Sequence, residues 1–208
     1  MMIKDKVNLL VNYIRSLPDF KIIEPDIPYR HMGATITDAM LQPGTTWETV
    51  VSPRVQKLRH NYPEAKTTTG FLKLLERIGS RELLEWKDSE KPNRVLSIAH
   101  FFAKEGIETE ADLKTWLENE ANIERLKELR GIGNKTTDYF KILSGIPTAA
   151  VDRHLIEFLE MAGVNTNSYS EAREIINKCA EQMGINKSVL DHSIWKYMSG
   201  KRGRKLCS

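Results

Sequence analysis

Apolar residues recur at helical spacing along almost the whole chain, and the alternation that marks a half-buried strand is nearly absent. A period of 3.6 buries one stripe of a helix but cannot present one face of a sheet, so the expected fold class is all-α. The spacing predicts helices over about residues 4–16, 31–42, 47–61, 68–78, 80–86, 91–105, 109–118, 121–129, 135–144, 152–162, 170–183 and 187–199. Breakers separate most of them: "PDIP", "QPGTT", "YPEAK", "SGIPT" and "GVNTNS" among others. Thr109 with Asp112 three residues on, and Ser170 with Glu171 and Glu174 in the following turn, supply start signals. No fixed-period repeat or low-complexity run interrupts the pattern. At 208 residues the chain can bury one sizeable core or two small lobes.

Composition narrows the chemistry. The only cysteines, Cys179 and Cys207, lie far apart, which excludes a cysteine-ligated zinc finger, an all-cysteine iron–sulfur site and a disulfide framework. A reducing setting fits, and no cofactor or metal is expected. The first apolar run is interrupted by Asn8, Asn12 and Arg15, unlike a signal peptide or membrane span. A cytoplasmic monomer without a membrane partner is the expectation. A net charge of +3 is too small to establish an acidic partner. The tail cations Lys201, Arg202, Arg204 and Lys205 can track a phosphate backbone or simply aid solubility.

The segment "LKELRGIGNKTTDYFKILSGIPTAAVDRHLIEFLEM" carries the most chemistry. Gly131 and Gly133 allow positive φ and uncover the backbone, so amides of the turn and of the next helix's first residues, Asn134 and Thr136 among them, can face an anion. Ile132 would anchor the turn in the core. The same "GIG" also reads as an ordinary helix connection with a glycine C-cap. Lys135 falls in the first helical turn, where the helix dipole opposes its charge and partial burial would favour a nucleophilic amine. From position alone it reads as a surface lysine meeting phosphate or solvent. Asp152 should cap the helix that follows, with its ionised carboxylate also suited to stabilise a cationic sugar or accept a proton. His154 reads as a structural histidine or a phosphate contact.

In order, "LRGIGNKT" and then "AAVDRHL" resemble the helix-hairpin-helix (HhH-GPD) DNA glycosylase superfamily, with Arg130 standing where a hairpin proline is usual. The likeness extends over roughly residues 30 to 200. It implies a two-lobed helical fold with the active site in the cleft between lobes: residues 25–141 as a central helical barrel, and 1–24 with 142–208 as the second lobe. It implies that Lys135 is the Schiff-base lysine of a glycosylase/lyase and Asp152 the essential aspartate. In "TDAMLQPGTTWETVV", Gln42 matches the residue that fills the gap left by a flipped base, although closing a helix before Pro43-Gly44 explains it equally. The ending "LDHSIWKYMSGK" is similar to that of short archaeal 8-oxoguanine glycosylase/lyases, with Trp195 as core and Asp191 as a cap or pocket residue. The four C-terminal cysteines of endonuclease III-like members are absent.

The implied partner is double-stranded DNA bearing a damaged or modified base, and the implied reaction is base excision with β-elimination. The implied base is 8-oxoguanine. Alternatives are a monofunctional glycosylase for oxidised pyrimidine or mismatched uracil or thymine, and a non-enzymatic DNA-binding hairpin module. Trp47, Phe101, Phe102, Tyr139 and Trp195 are candidate pocket walls, although such spacings also suit core packing.

Overall fold

The structure is a computed structural model describing residues 1–205, with side chains through Lys201. The side chains of Arg202, Arg204 and Lys205, and all of Cys207, lie outside the described residues. Among the described residues there are twelve α-helices and no strand. They are α1 (Ile3–Ser16), α2 (Met32–Leu41), α3 (Ser52–Asn61), α4 (Thr68–Ile78), α5 (Ser80–Leu84), α6 (Glu90–Lys104), α7 (Glu110–Trp116), α8 (Glu120–Lys127), α9 (Asn134–Leu143), α10 (Arg153–Met161), α11 (Tyr169–Met183) and α12 (Lys187–Lys205).

Three local features differ from the sequence expectation. The helix expected from residue 47 opens as a π turn, Trp47–Val51, before α3. Pro53 has no N–H to continue the tighter ladder, and Ser52 N–H reaches back to the Trp47 carbonyl instead. The cap of α11 is Ser168, whose hydroxyl accepts from Glu171 N–H, rather than Ser170. The backbone of α12 runs on to Lys205, past the expected end at 199.

The chain divides into two compact units, one of residues Ile27–Ile146 and one combining Met1–Asp26 with the chain from Pro147 onward. A boundary at residue 141 would cut α9, and the helix instead remains whole within the first unit.

The Ile27–Ile146 unit is built around α2. All ten of its residues are buried, and α3, α4, α6 and α9 pack against it. The fit is close enough that a Cβ on Gly33 would stand 2.8 Å from the Phe71 ring. Phe102 and Phe140 meet edge to face at 5.4 Å, and Phe101 meets Trp116 likewise at 5.7 Å. His31 caps α2: its Nδ1 accepts Ala34 N–H at 3.2 Å, so its Nε2–H donates to the Tyr62 carbonyl at 3.1 Å. The expected capping box at Thr109 and Asp112 starts α7.

In the other unit α1 packs on α11, and α12 on both α10 and α11. Fully buried Phe158 is surrounded by the rings of Tyr13, Phe20 and Tyr197 at 5.3, 5.7 and 5.8 Å. Lys6 joins α1 to the far side of this core, donating to the Asn165 carbonyl at 2.7 Å and pairing with Glu171 at 2.5 Å. Among the described residues no helix is long and apolar enough to cross a membrane.

Candidate functional site

The hairpin forms because α8 buries Ile123 and Leu126 and α9 buries Phe140 and Leu143, leaving a short link between two helices of one core. Gly131 turns the chain with φ +89°, where a Cβ would also press on the Arg94 guanidinium at 2.9 Å. Ile132 is buried and anchors the turn. Gly133 differs from expectation. Its backbone is extended, with φ −122° and ψ −171°, so its glycine identity serves open space rather than a left-handed turn. As the N-cap it places no side chain over the first-turn amides of α9, and Asn134 beside it is exposed. Thr136 is buried, so its side chain contributes packing rather than a surface contact.

Lys135, half-buried in the first turn of α9, donates from Nζ to Oε1 of Gln42, which lies 93 residues away in sequence. Its ammonium also rests over the ring of Tyr139, one helical turn on, at 4.7 Å from the centroid. The Tyr139 hydroxyl donates to Oδ2 of Asp38 at 3.0 Å. Tyr29 donates to the same oxygen at 2.7 Å, and Trp47 Nε1–H donates to Oδ1 at 3.2 Å. Asp38 is fully buried; burial pushes its carboxyl above the usual range, while the hydrogen bonds from Tyr29, Tyr139 and Trp47 and the Lys135 charge oppose that rise.

Gln42 is held where it stands. Thr45 Oγ1 donates to the carbonyls of Leu41 and Gln42 at 2.7 and 3.1 Å, and Lys91 Nζ donates to those of Leu41 and Pro43 at 2.7 and 2.5 Å. These donors satisfy carbonyls that the end of α2 leaves without helical partners. Beside the hairpin, Glu90 pairs with Arg94 at 2.6 Å and with the exposed Arg130 at 3.2 Å.

Asp152 lies in the other unit and caps α10. Its Oδ1 accepts from the N–H groups of His154 and Leu155 at 2.8 and 3.1 Å, and its Oδ2 lies 3.2 Å from His154 Nδ1. His154 is thereby tied to the cap, with its ring edge-on to Trp195. Asp191 is not a helix cap: from within α12 it accepts Ala150 N–H at 2.9 Å, fixing the extended segment that leads into Asp152.

Residues 9–199 match the family described as "Domain of unknown function (DUF8548)". The chain belongs to that family. The DUF8548 match takes in Gln42, the hairpin, Lys135 and Asp152, so all of them are parts of the family's own domain.

Of the candidate pocket walls, Phe102 is fully buried in the core, and Phe101, partly buried, packs against Trp116. Asp38 and Tyr29 went unseen in the sequence. An acid within "MGATITDAML" is a signal, since a carboxylate on a helix this apolar must be paired or hydrogen-bonded. Lys91 and Arg94 had no local signal, because α6 reads as an ordinary amphipathic helix. Among the described residues no group of three or more His, Cys, Asp or Glu side chains is placed to hold a metal ion.

Proposed function

We propose that the protein is a base-excision DNA glycosylase with AP lyase activity, of the helix-hairpin-helix kind and with that superfamily's two-lobed fold. The observation that carries the reading is the meeting of Gln42 and Lys135, singled out by separate parts of the sequence, in one hydrogen bond of the first unit. A residue for the gap beneath a flipped base and a nucleophile for its sugar must work on the same nucleotide. The open Gly133 and the first turn of α9, without a side-chain cap, supply a place for a backbone phosphate, with Arg94 and Arg130 alongside.

In this reading the partner is double-stranded DNA, and the protein extrudes the damaged nucleotide at an unstacking cost of a few kcal/mol. The unprotonated amine of Lys135 attacks C1′ as the base leaves, the sugar ring opens to an imine, and β-elimination releases the 3′ phosphate. Asp152 serves the same reaction as the carboxylate that stabilises the cationic sugar, its orientation fixed by the cap amides. The first base to test is 8-oxoguanine, followed by oxidised pyrimidines and mismatched uracil or thymine.

A panel of duplexes, each bearing one lesion, tests the reading when strands are resolved before and after alkali and in the presence of borohydride. Expected are a nick without alkali and a covalent protein–DNA adduct, both abolished by Lys135→Ala. Cleavage only after alkali, with no adduct, assigns a monofunctional glycosylase instead. Binding without cleavage of any duplex leaves a DNA-binding module.

A further inference from the structure

The chain beyond α2 is open to solvent at Pro43, Gly44 and Thr46, so water is at hand for the carbonyls that the helix leaves over. A lysine 50 residues away closes the end instead. Lys91 Nζ donates to the Leu41 carbonyl at 2.7 Å and to the Pro43 carbonyl at 2.5 Å, one residue to each side of Gln42. The Gln42 carbonyl between them accepts from the hydroxyl and the N–H of Thr45, both at 3.1 Å. Three successive peptide planes are thereby held, and with them the direction of the Gln42 Cα–Cβ bond. Satisfying a helix end would require neither the cation nor its reach.

The ammonium is itself fixed from behind. It rests over the Trp86 ring at 5.1 Å from the centroid, and the Arg54 guanidinium lies over the same ring at 5.2 Å. Arg54 in turn donates to the carbonyls of Val50, Leu84 and Glu85 at 2.5, 2.6 and 2.8 Å, joining the π turn to the end of α5. Burial, and after it the neighbouring Arg94 charge, holds Lys91 below the usual lysine value, against the pull of Asp88 and Glu90. The same turn of α6 also meets the hairpin. A Cβ on Gly131 would stand 2.9 Å from the Arg94 guanidinium, and Glu90 pairs with Arg94 and Arg130.

We infer that Lys91 is a positioning residue for Gln42: it locks the chain on both sides of that side chain and, through the first turn of α6, sets it in register with the hairpin. The inference rests on the reading that Gln42 enters the gap left by an extruded nucleotide. A duplex fixes the spacing between one of its phosphates and the neighbouring stack. A loop already held at that spacing loses little entropy when its side chain enters, whereas a mobile one must be ordered first. Lys91 serves the duplex through Gln42, since two of its three N–H groups are already given to carbonyls.

The test uses the whole protein and a duplex carrying a preformed abasic site with 2-aminopurine beside it, whose fluorescence changes as the stack opens and is refilled. Lys91→Met keeps the stem and removes the donors. At saturating protein its fluorescence change is expected to be lost, and its borohydride-trapped adduct to form at least about tenfold more slowly. Gln42→Ala should do the same, and the double variant no more than Gln42→Ala alone, because a clamp has no effect once the clamped side chain is gone. Thr45→Val frees the Leu41 and Gln42 carbonyls from the hydroxyl, should move both readings in the same direction, and serves should Lys91→Met not fold. Wild-type readings in Lys91→Met, or in Thr45→Val where it stands alone, overturn the inference. Losses that multiply in the double variant also overturn it, making Lys91 a support of the unit at large. A salt dependence of duplex affinity whose slope falls by about one in Lys91→Met makes the residue a phosphate contact and overturns it too. Wild-type protein that changes the fluorescence without forming an adduct overturns Lys135 as nucleophile and leaves the inference standing. A wild-type signal in Gln42→Ala overturns the gap-filling reading, and the inference with it.

Discussion

Gly131 and Gly133 look alike in sequence and do different work, which two substitutions separate. Gly131→Ala forces a Cβ into a left-handed backbone at φ +89° and against Arg94, so equilibrium urea unfolding should show a loss of about 1–2 kcal/mol. Gly133 is extended and faces open space, so Gly133→Ala meets no clash and should cost only about 0.5–1 kcal/mol, the difference between glycine and alanine at an N-cap. If a phosphate approaches that backbone, the same alanine weakens duplex binding in fluorescence anisotropy; unchanged affinity removes Gly133 from the interface. Cys179 illustrates the opposite extreme, a side chain whose surroundings silence it. Burial pushes its thiol up to about 12, so the native protein should leave Cys179 unlabelled by iodoacetamide at pH 8 when its peptide is read by mass spectrometry.

Among the elements, α2 bears most on the candidate site, because Asp38 lies within it and Gln42 at its end. Its start depends on neutral His31, whose Nδ1 is the cap acceptor. Burial lowers the proton affinity of this imidazole below its ordinary value of 6.5. A depressed folded value means that the unfolded chain takes up the proton first as pH falls. The contribution of His31 to stability is therefore full above about pH 6.5 and is lost as pH drops through the lower folded value. His31→Asn keeps a capping side chain without the titration. The difference in melting temperature between wild type and variant should move in favour of the variant between pH 7 and pH 5; a constant difference would remove His31 as the titrating group.

At the scale of the whole molecule, each unit has its own core. Phe158→Ala empties the centre of the aromatic cluster in the unit formed by both termini and should cost about 3–5 kcal/mol in urea unfolding. Asp152→Asn tests the chemistry without that loss, since asparagine caps a helix about as well as aspartate. The variant should keep its stability and duplex affinity and lose strand cleavage; full cleavage would remove Asp152 from the mechanism. The helical spacing alone identified all twelve described helices, because burying one stripe of each is a local demand written every three or four residues. Asp152 as a cap was legible for the same reason: its partners are the amides of its own helix. The π turn was not, since it depends on how Trp47 reaches Asp38 as well as on Pro53. Nor did sequence order contain the hydrogen bond between Gln42 and Lys135 or the three donors on Asp38. Tyr139 reaches Asp38 from 101 residues away and Lys135 reaches Gln42 from 93, and only the packing of α9 and the π turn against α2 sets which of these polar groups meet.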